Sequence, residues 1–197
     1  MARCLKLFQL EDPILGKVVV AAAGVRVVSP LRPDDVLKVV KGKGGIICQI
    51  FDYLAVASWR HLLHASILAL KALREGRMLA RDLGIEILLY VAGERQIREA
   101  ISKVGIKEDS RGIVILYFAR DREEAERLFD EVVKELGGLL DDSLIEISED
   151  KMEELKRRFS ICEEELKASV AEGEDELKAL IKCVLSRVAE IDIKKEA

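Results

Sequence analysis

Between Asp52 and Gly76 apolar or small side chains recur at positions 54, 58, 62, 65, 69 and 73. Steps of three and four put them along one side of an α-helix that must bury that side. Asp52 is placed to cap its start through the carboxylate, and Gly76 stops it. A chain built around such a helix needs apolar surface to receive it, and other segments read as strands. Met1 to Leu10 alternates weakly. Ile14 to Val28 contains the branched run Val18-Val19-Val20. Gly44 to Phe51, Ile85 to Ala92 and Ile113 to Ala119 are short apolar runs, and Ile85 to Ala92 is apolar enough for a central strand. Leu144 to Ile147 reads as one more short strand.

Further helices are expected from Pro33 to about Lys41, where proline and the acids Asp34 and Asp35 suit a first turn. Others are expected over Glu94 to Val104, Asp121 to Leu136, 149 to 159 and 174 to 190. Strands and helices do not alternate regularly. The reading is therefore one α+β domain over residues 1–197, a mixed β-sheet covered by helices. The stretch Cys162 to Glu176 is the candidate linker, too short and too helical to divide domains.

Half of the 197 residues are apolar, enough for one sizeable core. Asn and Thr are absent, Gln occurs only at 9, 49 and 96, and 35% of residues are charged. Few labile amides among many Lys, Glu and Arg point to a thermophile, with compositional drift as the plain alternative. No 18-residue apolar stretch lacks a charge, so no membrane span is expected. Arg3 and Lys6 interrupt the first apolar residues, so no signal peptide is expected and the cytoplasm is the expected compartment. The cysteines 4, 48, 162 and 183 form no C-x-x-C pair. Four small buried hydrophobes is the plain reading, and a Cys162–Cys183 bridge stays open. Charge is uneven. Residues 1–107 carry 17 Lys and Arg against 10 acids, and residues 121–176 carry 8 against 21. The first half can thus offer a positive face to a polyanion, or the unevenness is ordinary solvated helix surface.

Enzyme chemistry has little to stand on. His61 and His64 share a helix face, but no Cys or acid at ligand spacing accompanies them, so no metal is expected. There is no P-loop, no G-x-G-x-x-G and no G-x-S-x-G. Gly42-Lys43-Gly44-Gly45 precedes a strand, so it lacks the helix start that holds a phosphate and reads as a turn. Asp141-Asp142 lies in a charged surface stretch without the desolvation a general acid needs. No catalytic residue and no cofactor are assigned.

The order and spacing of several residues carry a resemblance. They are Ser58-x-x-His61-Leu62-x-x-Ala65-x-x-x-Ala69, then Gly76-Arg77-Met78-x-x-Arg81-x-Leu83-x-x-Glu86-Ile87-Leu88, then Gly93-x-Arg95-Gln96-Ile97-x-x-Ala100-Ile101 and Gly105-Ile106. Leu180 to Arg187 agrees as well, whereas 121–175 fits poorly. Together they resemble the p53-related-kinase-binding protein family of archaeal type, the small regulatory subunit of the KEOPS complex. The resemblance implies a non-catalytic protein that binds the complex's atypical kinase directly and its other subunits indirectly. It also implies a grip on the 3′ CCA end of tRNA, helping a partner subunit form N6-threonylcarbamoyladenosine at position 37.

Arg77, Arg81, Arg95, Gln96 and Arg98 are the candidate tRNA contacts. Guanidinium groups pair phosphates and stack on unpaired bases, and an amide reads an exposed base edge. Each has a bland alternative: Arg81 pairing Glu86 or Asp82 inside the fold, Gln96 capping the helix it opens. Leu63, Ile67, Leu180 and Val184 are the candidate kinase contacts, on helices with apolar residues beyond one stripe; the alternative is that all of them pack inside. A freestanding RNA-binding protein without a kinase partner, or a small-molecule enzyme, are the competing readings.

Overall fold

The computed structural model describes residues 5–27 and 32–196, with side chains described as far as residue 193. Met1 to Cys4 and Val28, parts of two expected strands, lie outside them. The fold is α+β. Its residues divide into two compact units, 1–53 with 105–145 and 54–104 with 146–197.

The first unit is a sheet carrying two helices. Strands β1 (Lys6–Asp12), β2 (Gly16–Arg26), β3 (Ile47–Asp52) and β4 (Gly112–Ala119) lie in the order β1-β2-β4-β3. The two-residue β5 (Leu139–Leu140) pairs the end of β2 at Val25 and Arg26. All pairings among described residues are antiparallel. The β1–β2 turn is set by Asp12, whose Oδ1 accepts from the backbone N–H groups of Ile14 (2.9 Å) and Leu15 (3.1 Å), an aspartate's usual way of shaping a turn.

Strands β2 and β4 are buried on both faces, which explains their continuous apolar runs. On one face Val19, Ala21, Ala23, Ile113, Ile115 and Tyr117 meet α1 (Pro33–Gly42) through Val36 and Val40, and α5 (Arg122–Leu136) through Ala125, Leu128, Phe129 and Val132. Tyr117 packs edge-on against Phe129 at 5.4 Å and donates its hydroxyl to the Val40 carbonyl at 2.7 Å, so this large ring leaves no buried polar atom unpaired. Gly24 is required where it stands. A Cβ there would lie 2.4 Å from the Asp141 carbonyl oxygen and 2.5 Å from Leu144 Cβ, against the 3₁₀ turn Asp142–Ile145. That turn replaces the strand expected over Leu144 to Ile147.

The second unit is helical. It contains α2 (Trp59–Arg74), α3 (Leu83–Ala92), α4 (Ile97–Val104), α6 (Glu149–Phe159), α7 (Glu163–Ser169) and α8 (Glu176–Glu196). Helix α2 begins after Ser58 rather than at Asp52, which closes β3 and is followed by the short 3₁₀ turn Tyr53–Ala55. The central strand expected over Ile85 to Ala92 is a helix. Asp82 caps it by accepting from the Ile85 N–H at 3.0 Å, and Gly93 ends it at φ 65°. Eight of its ten residues are buried, so no polar face shows in the sequence to reveal a helical period. The expected linker 162–176 contains α7.

Apolar α8 residues 180, 184, 188 and 191 are completely buried at helical spacing. Arg187 on the same helix donates to the carbonyls of Phe159 (3.2 Å) and Ser160 (3.4 Å) and to Glu165 (2.6 Å). It thereby satisfies acceptors that the end of α6 leaves open. Lys151, almost wholly buried, donates Nζ to the Val56 carbonyl at 3.0 Å. No helix among the described residues is long and apolar enough to cross a membrane.

Candidate functional site

The resemblance-bearing segment forms α2, the loop 75–82, α3, and the turn into α4. His61 and His64 do not make a metal pair. His61 is fully buried, its Nδ1 accepting from the Ala57 N–H at 3.4 Å and its Nε2 donating to the Val91 carbonyl at 3.0 Å, which fixes the tautomer with the proton on Nε2. Phe159 packs edge-on against the ring at 5.6 Å. Burial pushes the imidazole down to about 4, against a smaller upward pull from the Val91 bond. His64, half-buried, is also lowered by burial. Among the described residues no group of three or more His, Cys, Asp and Glu is arranged to hold a metal. Cys48, Cys162 and Cys183 are free thiols, so the open alternative of a Cys162–Cys183 bridge is not realised, and Cys4 lies outside the described residues.

The loop 75–82 is held from beneath. Gly76 takes φ 65°, and the Arg77 N–H reaches the Ala72 carbonyl at 2.8 Å. Glu86, completely buried on α3, accepts from the N–H groups of Leu79 and Ala80, each at 2.8 Å. A carboxylate receiving two amide protons is strongly satisfied and fixes the loop against α3. Nearby, Asp192 of α8 accepts from the Tyr90 hydroxyl and, at 3.0 Å, from Lys71 Nζ. Burial works against the charge on Asp192, but these two donors outweigh it and hold its carboxyl below the usual range.

Arg77 and Arg81 sit on this loop and not on a helix, so they share no helix face. Arg77 is partly buried and engaged: Nε donates to Glu75 Oε2 at 2.9 Å and Nη2 donates to the same oxygen. Its charge also acts on Tyr90 and Asp192. Arg81 is exposed. Its suggested partners have other work, Glu86 on the loop amides and Asp82 at the α3 cap. Arg95, Gln96 and Arg98 are exposed across the α3–α4 turn and the first turn of α4. Ile97 (46% exposed) and Ile101 (53%), which belong to the resemblance but carry no site role in the sequence, stand a turn apart on the same helix. Their spacing from the buried Ala100 and Val104 was the available signal, since two stripes on eight residues cannot both face inward.

Of the four apolar candidates, Ile67 is 41% exposed and Leu63 partly so. Leu180 and Val184 are not surplus surface. Both are wholly buried, because α8 lays this stripe inward. On α5 three carboxylates of the acidic segment, Glu124, Glu126 and Glu131, pair Arg120, Arg122 and Arg127 at helical spacing.

The fold defines an α+β protein whose candidate site residues lie on α2, on the loop before α3, and on the turn after it and α4. The sequence model of a family described as kinase binding protein CGI-121 matches residues 38–192, and the chain belongs to that family. It is 30% identical over 152 residues to a protein of Methanocaldococcus jannaschii named regulatory protein Cgi121, covering 77% of this chain and 88% of that one. It is 37% identical over 71 residues to a protein of Pyrococcus abyssi named KEOPS complex subunit Cgi121, covering 36% of this chain and 39% of that one.

Proposed function

We propose that this chain is a non-catalytic KEOPS subunit of the cytoplasm that binds and regulates the complex's atypical kinase. In the same reading it recruits tRNA through its 3′ CCA end for N6-threonylcarbamoyladenosine formation at position 37. The family match over residues 38–192 carries the proposal, and the names of the two relatives support its regulatory and KEOPS parts. Leu63 and Ile67 on α2 are the kinase contacts, with Leu180 and Val184 acting from the interior by holding α8 in place. Arg77, Arg81, Arg95, Gln96 and Arg98 are the tRNA contacts, with Ile97 and Ile101 beside them offering apolar surface to unpaired bases.

Two binding measurements test this. The purified chain mixed with the KEOPS kinase is expected to elute as a stable 1:1 complex that Ile67→Glu disrupts. A tRNA transcript with its CCA end is expected to bind more tightly than one trimmed of it. A chain that ignores both kinase and tRNA, or that turns over a small metabolite alone, refutes the reading.

A further inference from the structure

Glu75 is in an unfavourable place for an acid. It is the residue that ends α2, where unpaired carbonyls carry partial negative charge and favour cations such as the neighbouring Lys71 and Arg74. The loop does not depend on its carboxylate, because Gly76, the Arg77-to-Ala72 backbone bond and Glu86 already set the loop's path. Among the described residues that carboxylate has one partner, Arg77, and it takes both Nε and Nη2 on a single oxygen. This is the guanidinium edge that a phosphate oxygen would take.

We propose that Glu75 is an intrachain stand-in for an RNA phosphate. It occupies Arg77 in the unbound chain and must be displaced before Arg77 can engage the nucleic acid backbone. The inference rests on the reading of this loop as an RNA-binding face. Glu75 and Arg77 are partly solvent-exposed, at 41% and 29% of their side chains, so the pair is weak enough to exchange. A lone phosphate gains almost nothing by swapping places with a carboxylate. A strand that also meets Arg81, Arg95 and Arg98 offsets the exchange at several points. Glu75 therefore selects for RNA that engages several of these arginines over anions that touch one.

The test is a filter-binding cycle with an unmodified tRNA transcript ending in CCA, at one fixed moderate salt. It uses the wild-type chain, Glu75→Gln, Arg77→Gln and the double variant, with circular dichroism melts to show that all four fold. Glu75→Gln is expected to tighten binding roughly two- to five-fold, the scale of an exposed ion pair. Arg77→Gln is expected to weaken binding, and adding Glu75→Gln to it is expected to change nothing. If the tightening persists without Arg77, Glu75 acts only as a nearby negative charge and the inference fails. If Arg77→Gln weakens binding but Glu75→Gln does not tighten it, the exchange is refuted while the RNA-binding face stands. If Arg77→Gln binds like wild type, the face itself is misplaced and the inference falls with it.

Discussion

Acidifying the protein from pH 7 to pH 5 is expected to cost it stability chiefly through His61. In the native chain its Nε2 proton is given to the Val91 carbonyl, its Nδ1 takes a backbone N–H, and no solvent reaches it. A second proton would have to sit on Nδ1, facing a donor, so the neutral form is held and the imidazole titrates at about 4. In the unfolded chain it titrates at about 6.5. The folded value is depressed, so the stabilisation is complete above pH 6.5 and is lost as pH falls toward 4, because the unfolded chain takes up a proton that the native chain refuses. The whole difference is worth about 3 kcal/mol, of which about 2 kcal/mol is lost by pH 5. That window lies above the range where most unfolded carboxylates titrate, so acids contribute little to it. For a chain of this size the loss lowers Tm by roughly 4–8 °C. Urea unfolding followed by Trp59 fluorescence, two residues from His61, measures it directly at both pH values. His61→Gln, which cannot take the proton, is expected to be less stable at pH 7 but to lose much less on acidification, leaving the smaller share due to His64. An equal pH-dependent loss in wild type and His61→Gln would refute the reasoning.

Four other expectations follow from the packing. Leu180→Ala should cost about 2–5 kcal/mol, since a buried leucine leaves a cavity, whereas Ile67→Ala should cost less than about 0.5 kcal/mol while weakening kinase capture; urea midpoints and co-elution separate the two. Gly24→Ala should destabilise the first unit by at least about 3 kcal/mol, because its new methyl meets backbone at 2.4 Å and cannot be relieved by a rotamer change; thermal melts show whether the chain still folds. Lys151→Ala should cost about 1–3 kcal/mol by leaving the Val56 carbonyl without this donor, again read by urea unfolding. Arg77→Glu with Arg95→Glu should weaken tRNA binding and flatten its salt dependence, and an unchanged slope in filter binding would exclude them as phosphate contacts.

Much of the first unit was legible because its signals are local. Pro33 with two acids starts α1, Asp121 and Gly137 bracket α5, and the branched runs around Val18 and Ile113 are strands. The chain misled where burial is total. Ile85 to Ala92 reads as a strand because only Glu86 interrupts its apolar run, and the bracketing Asp82 and Gly93, with the ten helical residues between them, speak for a helix. The site was legible as composition and not as geometry. The arginines stand out in the sequence, but that Glu75 holds Arg77 is a contact within an irregular loop, which no periodicity announces. The bond from Tyr90 to Asp192 joins residues 102 apart and is likewise invisible to local pattern. Leu180 and Val184 were misplaced for a related reason. A helix with apolar residues on several sides does not declare which side is covered until its neighbours are known.

Each unit is assembled from two separate stretches of chain, and β3 and β4, adjacent in the sheet, are separated by all of residues 53–111. On the ribosome, β1, β2 and β3 emerge without the strand that joins β2 to β3, and they wait while residues 53–111 are made at a synthesis rate of about 5–20 residues per second. For several seconds the nascent chain therefore displays strand edges that the finished protein pairs off. Terminal truncation cannot yield a half that folds alone, whereas excising 54–104 as a block and rejoining the ends would leave the sheet's own sequence intact.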